Sequence, residues 1–282
     1  KVEAEAGGEF SVDVSLEDIP STKVNVMDFA VTYDQTVLNV DSVKIGKSAD
    51  VDVSGDSTAS DAPVFATNIK DGEITVSWTT ALDSNSWISE DGVILTITGT
   101  VKDGVADGTV TPIDFAPVTR ETYDGSGKNN SSMVIGYVYG GDSATYTINA
   151  EAGSVTIGSK QTTTETTVTT TEGGKDTTAT EATTTATESK TDVTKATTTI
   201  SGNIVTGTVA PGSVLYGDVN CDARVDITDA VMLNKAAAGV VTLNDTQRKN
   251  ADCNGDEEVG SQDATTLLMF LVNIIKTLPY SD

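Results

Sequence analysis

The chain has 282 residues, enough for two domains at roughly 150 residues each. Its net charge of −25 argues against nucleic acid and anionic membrane surfaces as partners, and suits a secreted protein living with divalent cations. With no histidine, it lacks the usual general base, the Ser-His-Asp and Cys-His nucleophile systems and the commonest zinc ligand. Paired-carboxylate catalysis stays open on composition alone, since 42 residues are acidic.

Residues 1–158 read as strands. "FSVDVSL" (10–16), "VNVMDFAVTYD" (24–34), "VFATNI" (64–69), "EITVSWTT" (73–80) and "GVILTITGTV" (92–101) alternate or run apolar, and "KDG", "EDG" and "ADG" turns separate them. Short β-branched strands at this spacing, with no 3.6-residue period among them, predict an antiparallel sandwich. "MVIGYVYGGDSATYTI" (133–148) reads as a hairpin turning at Gly140-Gly141. The opening "KVEAEAGGEF" reads as a mature or trimmed terminus, so export is an expectation drawn from composition.

Residues 162–199 change character: 20 of these 38 are Thr, with no aromatic among them. They cannot bury enough apolar area to offset their ordering entropy, so residues 159–212 are expected to form a disordered linker and lead-in. The random-coil reach of the Thr-rich part is about 35 Å and its stretched limit about 130 Å. A Thr-rich strand is the competing reading, weakened by the lack of an alternating apolar face.

Residues 213–282 read as helical. Ala230, Val231, Leu233 and Ala237 share helical spacing in 227–239, with Gly239 as the stop. A brief second helix is expected over 244–252. A third, over 262–278, is apolar on more than one face. Its longest apolar run, "LLMFLVNII", falls far short of the roughly 20 residues that span a bilayer.

Two acidic loops precede the long helices, "DVNCDARVDITD" (218–229) and, 34 residues on, "DCNGDEEVGSQD" (252–263). Crowded carboxylates repel one another unless a cation lies between them. EF-hand loops supply oxygens from positions 1, 3, 5, 7, 9 and 12 to Ca²⁺, which takes six to eight hard ligands. Those positions give Asp218, Asn220, Asp222, the Arg224 carbonyl, Asp226 and Asp229. In the second loop they give Asp252, Asn254, Asp256, the Glu258 carbonyl, Gly260 and Asp263, with water standing in at Gly260. Solvated turns with capping Asp would explain one such loop, but not two in register. Mg²⁺ fits less well, since it prefers a strict octahedron with several waters. Position 6, usually Gly, is Ala223 and Glu257.

A duplicated calcium-loop-plus-helix of about 70 residues with Asp at position 12 resembles a dockerin, the plug module of cellulosomes. "MDFAVTYDQTVLNVDSVKIG" (27–46), "EDGVILTITGTVK" (90–102) and "AGSVTIG" (152–158) are in turn similar to cohesins, the sockets that receive dockerins. The resemblance implies a non-catalytic jelly-roll sandwich over 1–158 and two Ca²⁺ ions in 213–282. As a whole the chain resembles an adaptor scaffoldin, extracellular and part of a cell-surface-associated complex. Its dockerin would plug into a cohesin of a larger scaffold, while its own cohesin recruits a dockerin-bearing protein.

By resemblance, the dockerin contacts are Ile227, Thr228, Asn234, Lys235 and Gly239 in the first repeat, and Ser261, Gln262, Leu268, Met269 and Asn273 in the second. No pair matches, which predicts a single binding mode anchored by Leu268 and Met269 on the third helix. On the cohesin side the resemblance implies Asp28, Ile69, Val76 and Trp78, with burial of Trp78 in the core as the competing reading. Cys221 and Cys253, too few for a disulfide scaffold, are expected as free thiols, because a dockerin places its two loops at opposite ends.

Two rival readings of residues 1–158 stay open. One is a carbohydrate-binding module using Trp78 and Trp87. The other is a small glycosidase using acid pairs such as Asp83/Glu90 or Glu121/Asp124, although each pair sits beside turn residues.

Overall fold

The computed structural model describes residues 1–51, 64–80, 84–139, 142–158, 193–200 and 214–280. Its N-terminal part is a β-sandwich. The strands are β1 (Val2–Glu5), β2 (Glu9–Glu17), β3 (Val26–Tyr33), β4 (Leu38–Ile45), β5 (Val64–Lys70), β6 (Glu73–Thr79), β7 (Gly92–Val101), β8 (Val110–Ala116), β9 (Val134–Tyr139), β10 (Asp142–Ala150), β11 (Gly153–Gly158) and β12 (Val193–Ile200).

One layer runs β1-β11-β8-β3, continuing through β6 to β5 on the other side of β3. The first half of β3 pairs instead with β9, the inner strand of the β9–β10 hairpin. The second layer is β2-β7-β4. Alternation decides what goes between the layers. Phe29 and Val31 of β3 and Ile74, Val76 and Trp78 of β6 enter one core with Val12, Val14 and Leu16 of β2 and Ile97 of β7. The Trp78 indole N–H, buried with its ring, donates to the Ala49 carbonyl at 3.0 Å.

The five expected strands are present within two residues of their expected ends. The expected hairpin over 133–148 is β9–β10, while its turn residues 140–141 lie outside the described residues. β1, β4 and β8 are further strands that the sequence pattern did not single out.

Within the stretch 159–212, read from sequence as a linker, the described residues are Val193–Ile200. That segment is β12, antiparallel to β10 and parallel to β2, and it joins the two layers along one side. Backbone pairing on both of its edges replaces the apolar face that the sequence lacks, and β-branched Thr suits extended backbone. Residues 159–192 and 201–213 lie outside the described residues.

Three helices form the C-terminal region: α1 (Ile227–Ala237), α2 (Asp245–Ala251) and α3 (Ser261–Leu271). α1 opens on a capping box, Asp226 accepting from Thr228 N–H and Asp229 accepting from Asp226 N–H. It closes, as expected, before a left-handed Gly239 at φ +72°. α3 stops at Leu271, short of the expected 278, because Asn273 turns left-handed and the Ile274 N–H folds back to the Met269 carbonyl. No helix among the described residues is long and apolar enough to cross a membrane.

Candidate functional site

Both acidic loops fold by one scheme in which carboxylates organise backbone N–H groups. In the first, Asp218 accepts from Asp222 and Ala223, Asn220 from Asp222, Asp222 from Arg224, and Asp229 from Asn220. In the second, Asp252 accepts from Gly255 and Glu257, Asn254 from Asp256, Asp256 from Glu258, and Asp263 from Asn254. Position 12 of each loop also reaches back to position 9, Asp229 to Asp226 N–H and Asp263 to Gly260 N–H, so one carboxylate closes the loop and starts its helix. Position 6 is left-handed in both, Ala223 and Glu257 each at φ 67°. Position 4 is left-handed as well, and the first loop places Cys221 there (φ 64°) where the second has Gly255.

Burial collects like charges in these loops. Asp218 is pushed up to about 6, chiefly by burial and further by Asp222 beside it. Burial also pushes up Asp229, with Asp226 adding to it, and Asp222, again with Asp226 adding. Asp263 rises through burial although it accepts two backbone N–H bonds. Carboxylate oxygens of Asp252, Asp256 and Asp263 lie within 4.8 Å of one another. Hard oxygens converging at this distance suit a cation such as Ca²⁺, whose charge offsets the repulsion and the desolvation together.

A second feature lies on the outer face of the β5-β6-β3-β9 sheet, where the helical region is seated. Alternation sends Val26, Asp28 and Ala30 of β3 and Thr75, Ser77 and Thr79 of β6 away from the sandwich core, yet all six are buried. α1 lies along β3, β6 and β9. Val26 and Val134 of the sandwich share one apolar cluster with Ile227, Val231, Leu268 and Leu271.

Hydrogen bonds cross this seam in both directions. Asn68 and Thr75 both donate to the Val272 carbonyl at 3.0 Å. Lys235 Nζ donates to the Val138 carbonyl at 2.9 Å, and Asn273 Nδ2 to the Thr119 carbonyl at 2.9 Å. Val225 N–H pairs with the Thr122 carbonyl at 2.8 Å. Arg120, from the loop after β8, donates one guanidinium nitrogen to the Val225 carbonyl and another to Asp28, which also accepts from Ser77. Burial pushes the Asp28 carboxyl up while the Arg120 guanidinium pulls it down, and burial is the larger effect.

Of the cohesin-side residues expected from sequence, only Asp28 belongs to this face. Val76 and Trp78 lie in the sandwich core, and Ile69 is half-buried against that same core. The parity that makes Asp28 an outward residue turns its cross-strand partner Ser77 outward too, and so sends Val76 and Trp78 inward. Of the dockerin-side residues, Lys235 and Asn273 touch the sandwich. Ile227, Leu268 and Met269 belong to the shared apolar cluster. Thr228 donates its N–H to Asp226, the cap of α1, and Asn234 is half-buried. Gly239, Ser261 and Gln262 are exposed. α1 is the helix that lies along the strands, while α3 and the turn after it contribute Leu268, Leu271, Val272 and Asn273.

Arg120, Asn68, Thr75 and Val138 escaped the sequence reading. One signal was available for Thr75: Thr75, Ser77 and Thr79 form a small, flat, polar stripe opposite the apolar stripe of β6. As for the rival readings, both indoles are buried, Trp78 in the core and Trp87 stacked on Tyr137 at 6.1 Å, so neither forms part of an exposed aromatic platform. Asp83 lies outside the described residues.

Residues 1–131 match the cohesin domain family and residues 216–271 the dockerin type I domain family. No curated protein matches the chain. Among solved structures, the seventh ScaB type I cohesin from Pseudobacteroides cellulosolvens is 24% identical, covering 59% of this chain and 93% of that one at a TM-score of 0.40. The type I Coh-OlpA-Doc918 complex from Clostridium thermocellum is also 24% identical, covering 56% and 94% at a TM-score of 0.41. A non-cellulosomal cohesin from Archaeoglobus fulgidus is 19% identical, covering 56% and 87% at a TM-score of 0.37. The chain therefore carries an N-terminal cohesin domain and a C-terminal type I dockerin, both of them protein–protein assembly modules without catalytic function.

Proposed function

We propose that the protein is a secreted, non-catalytic adaptor scaffoldin of an extracellular polysaccharide-degrading complex. Its C-terminal module (213–282) plugs into a cohesin of a larger scaffold, and its N-terminal module (1–158) receives a dockerin-bearing protein. The observation that carries this reading is the presence of both halves of one recognition system on a single chain. Two Ca²⁺ ions would be held by the carboxylates, amides and carbonyls of the two acidic loops. When bound, they supply the positive charge that lets those loops and the helices behind them stay packed.

The test is a binding screen of the full chain, in calcium, against panels of isolated cohesins and isolated dockerins. Capture of at least one of each supports an adaptor. Capture of cellulose with no cohesin and no dockerin would transfer the N-terminal module to carbohydrate binding and sink this reading.

A further inference from the structure

The sheet face covered by the dockerin has the chemistry of a made interface. Its outward side chains are small and largely polar, so an uncovered sandwich would leave them in water at little cost. Here they are buried, and both partners contribute donors. Asn68, Thr75 and Arg120 satisfy dockerin carbonyls, while Lys235 and Asn273 satisfy sandwich carbonyls. Most of the buried polar groups here find a partner, and Thr79 Oγ1 and Arg120 Nε are the exceptions among the sandwich residues named.

Connectivity favours the same chain as the source of both halves. β12 lies within the sheet, so 13 residues, 201–213, separate it from the dockerin, a span of at most about 45 Å. An external dockerin must then compete with one that cannot diffuse away.

We propose that the dockerin of this chain closes onto its own cohesin, through α1 and the Val272–Asn273 turn on the β5-β6-β3-β9 face, and that this closure masks both recognition surfaces until an outside partner displaces it. The adaptor is then shut as a free chain and opens by exchange. It does not bind its two partners independently.

The experiment uses the full chain with a protease site inserted between Gly207 and Thr208, beyond β12, so that strand pairing cannot hold the pieces together. Uncut, in calcium, the chain should run as a monomer at all concentrations by light scattering. After cutting, the two pieces should still co-elute. Thr75→Arg forces a long charged side chain into the closely packed seam where Thr75 is buried, from the sheet's outer side, leaving the core untouched. The cut Thr75→Arg pieces should separate, and the uncut variant should bind an isolated cohesin at least about tenfold more tightly than the parent.

Lys235→Glu, on the opposite partner, guards against a folding defect in Thr75→Arg and should separate the pieces as well. Multimers that grow with concentration would mean that the contact forms between copies, and would overturn closure. So would separation of the parent pieces, or co-elution in both variants. A Thr75→Arg chain that opens but binds no cohesin in the panel leaves closure intact and counts against the adaptor reading instead.

Discussion

Arg120 and Asp28 form an ion pair with both side chains almost wholly out of water, on the sheet face that the dockerin covers. Removing one member of such a pair leaves an uncompensated buried charge, at a cost of about 3–5 kcal/mol. The cheapest relief is to expose Asp28 by letting the dockerin go. Arg120→Ala should therefore undock the module while the sandwich keeps its own melting transition, read by far- and near-UV circular dichroism of the full chain. Asp28→Asn combined with Arg120→Met should recover much of the loss. Equal damage from the single and double variants would show that the pair's charge is not what matters.

The first acidic loop should respond to mild acid. Burial pushes the Asp218 carboxyl up to about 6 in the folded loop, against 3.8 for an ordinary Asp. Because the folded value is the higher one, protonation stabilises the metal-free module fully below about 4, and that contribution is lost as pH rises through about 6. Calcium needs the carboxylate, so its affinity runs the opposite way. It should be weaker at pH 5 than at pH 7. Calorimetric calcium titrations at the two pH values measure this, and a pH-independent affinity would contradict it.

Loop position 6 carries a cost that Gly would remove. Ala223 sits at φ 67°, a region that disfavours any residue with a Cβ. Ala223→Gly should relieve this strain, less the extra entropy Gly gains when unfolded, for a net gain of about 0.5–1 kcal/mol. The expected signature is a few-fold tighter calcium titration at the first loop. Cys221→Gly, at the left-handed position 4, should act in the same direction.

Removing calcium should unfold the helical region selectively. Its carboxylates are buried among one another, and a module this small has little core to hold it together. EDTA should abolish most helical circular dichroism and release the sheet face, leaving the sandwich folded. Unchanged helix content on chelation would refute a structural role for the metal.

The thiols should differ sharply. Neither cysteine is in a disulfide, as expected, but Cys253 is buried and its thiol is pushed far up by burial and by Asp263, while Cys221 is only half-buried. Maleimide treatment in calcium should add one label by intact mass, and two in guanidinium. Two labels at once under native conditions would show that the module around Cys253 is not packed as described.

Local chemistry was legible in the chain itself. The spacing of Asp218, Asp222, Asp229 and their counterparts in the second loop reads as a pair of cation loops, because metal geometry dictates which positions carry oxygen and the whole set lies within 12 consecutive residues. Alternation in β3 fixed which of Phe29 and Asp28 points inward, since strand parity is a local property. The sandwich decided the rest. Whether Trp78 or Ser77 faces out depends on which side of β6 meets the second layer, and burying an indole outweighed any use for it at the surface. β12 exists because β10 and β2 present free backbone edges far away in sequence, which no Thr-rich stretch encodes alone. The seam between Arg120, Asp28 and Val225 joins residues up to about 200 positions apart, so only the docked tertiary structure brings their charges and carbonyls within reach.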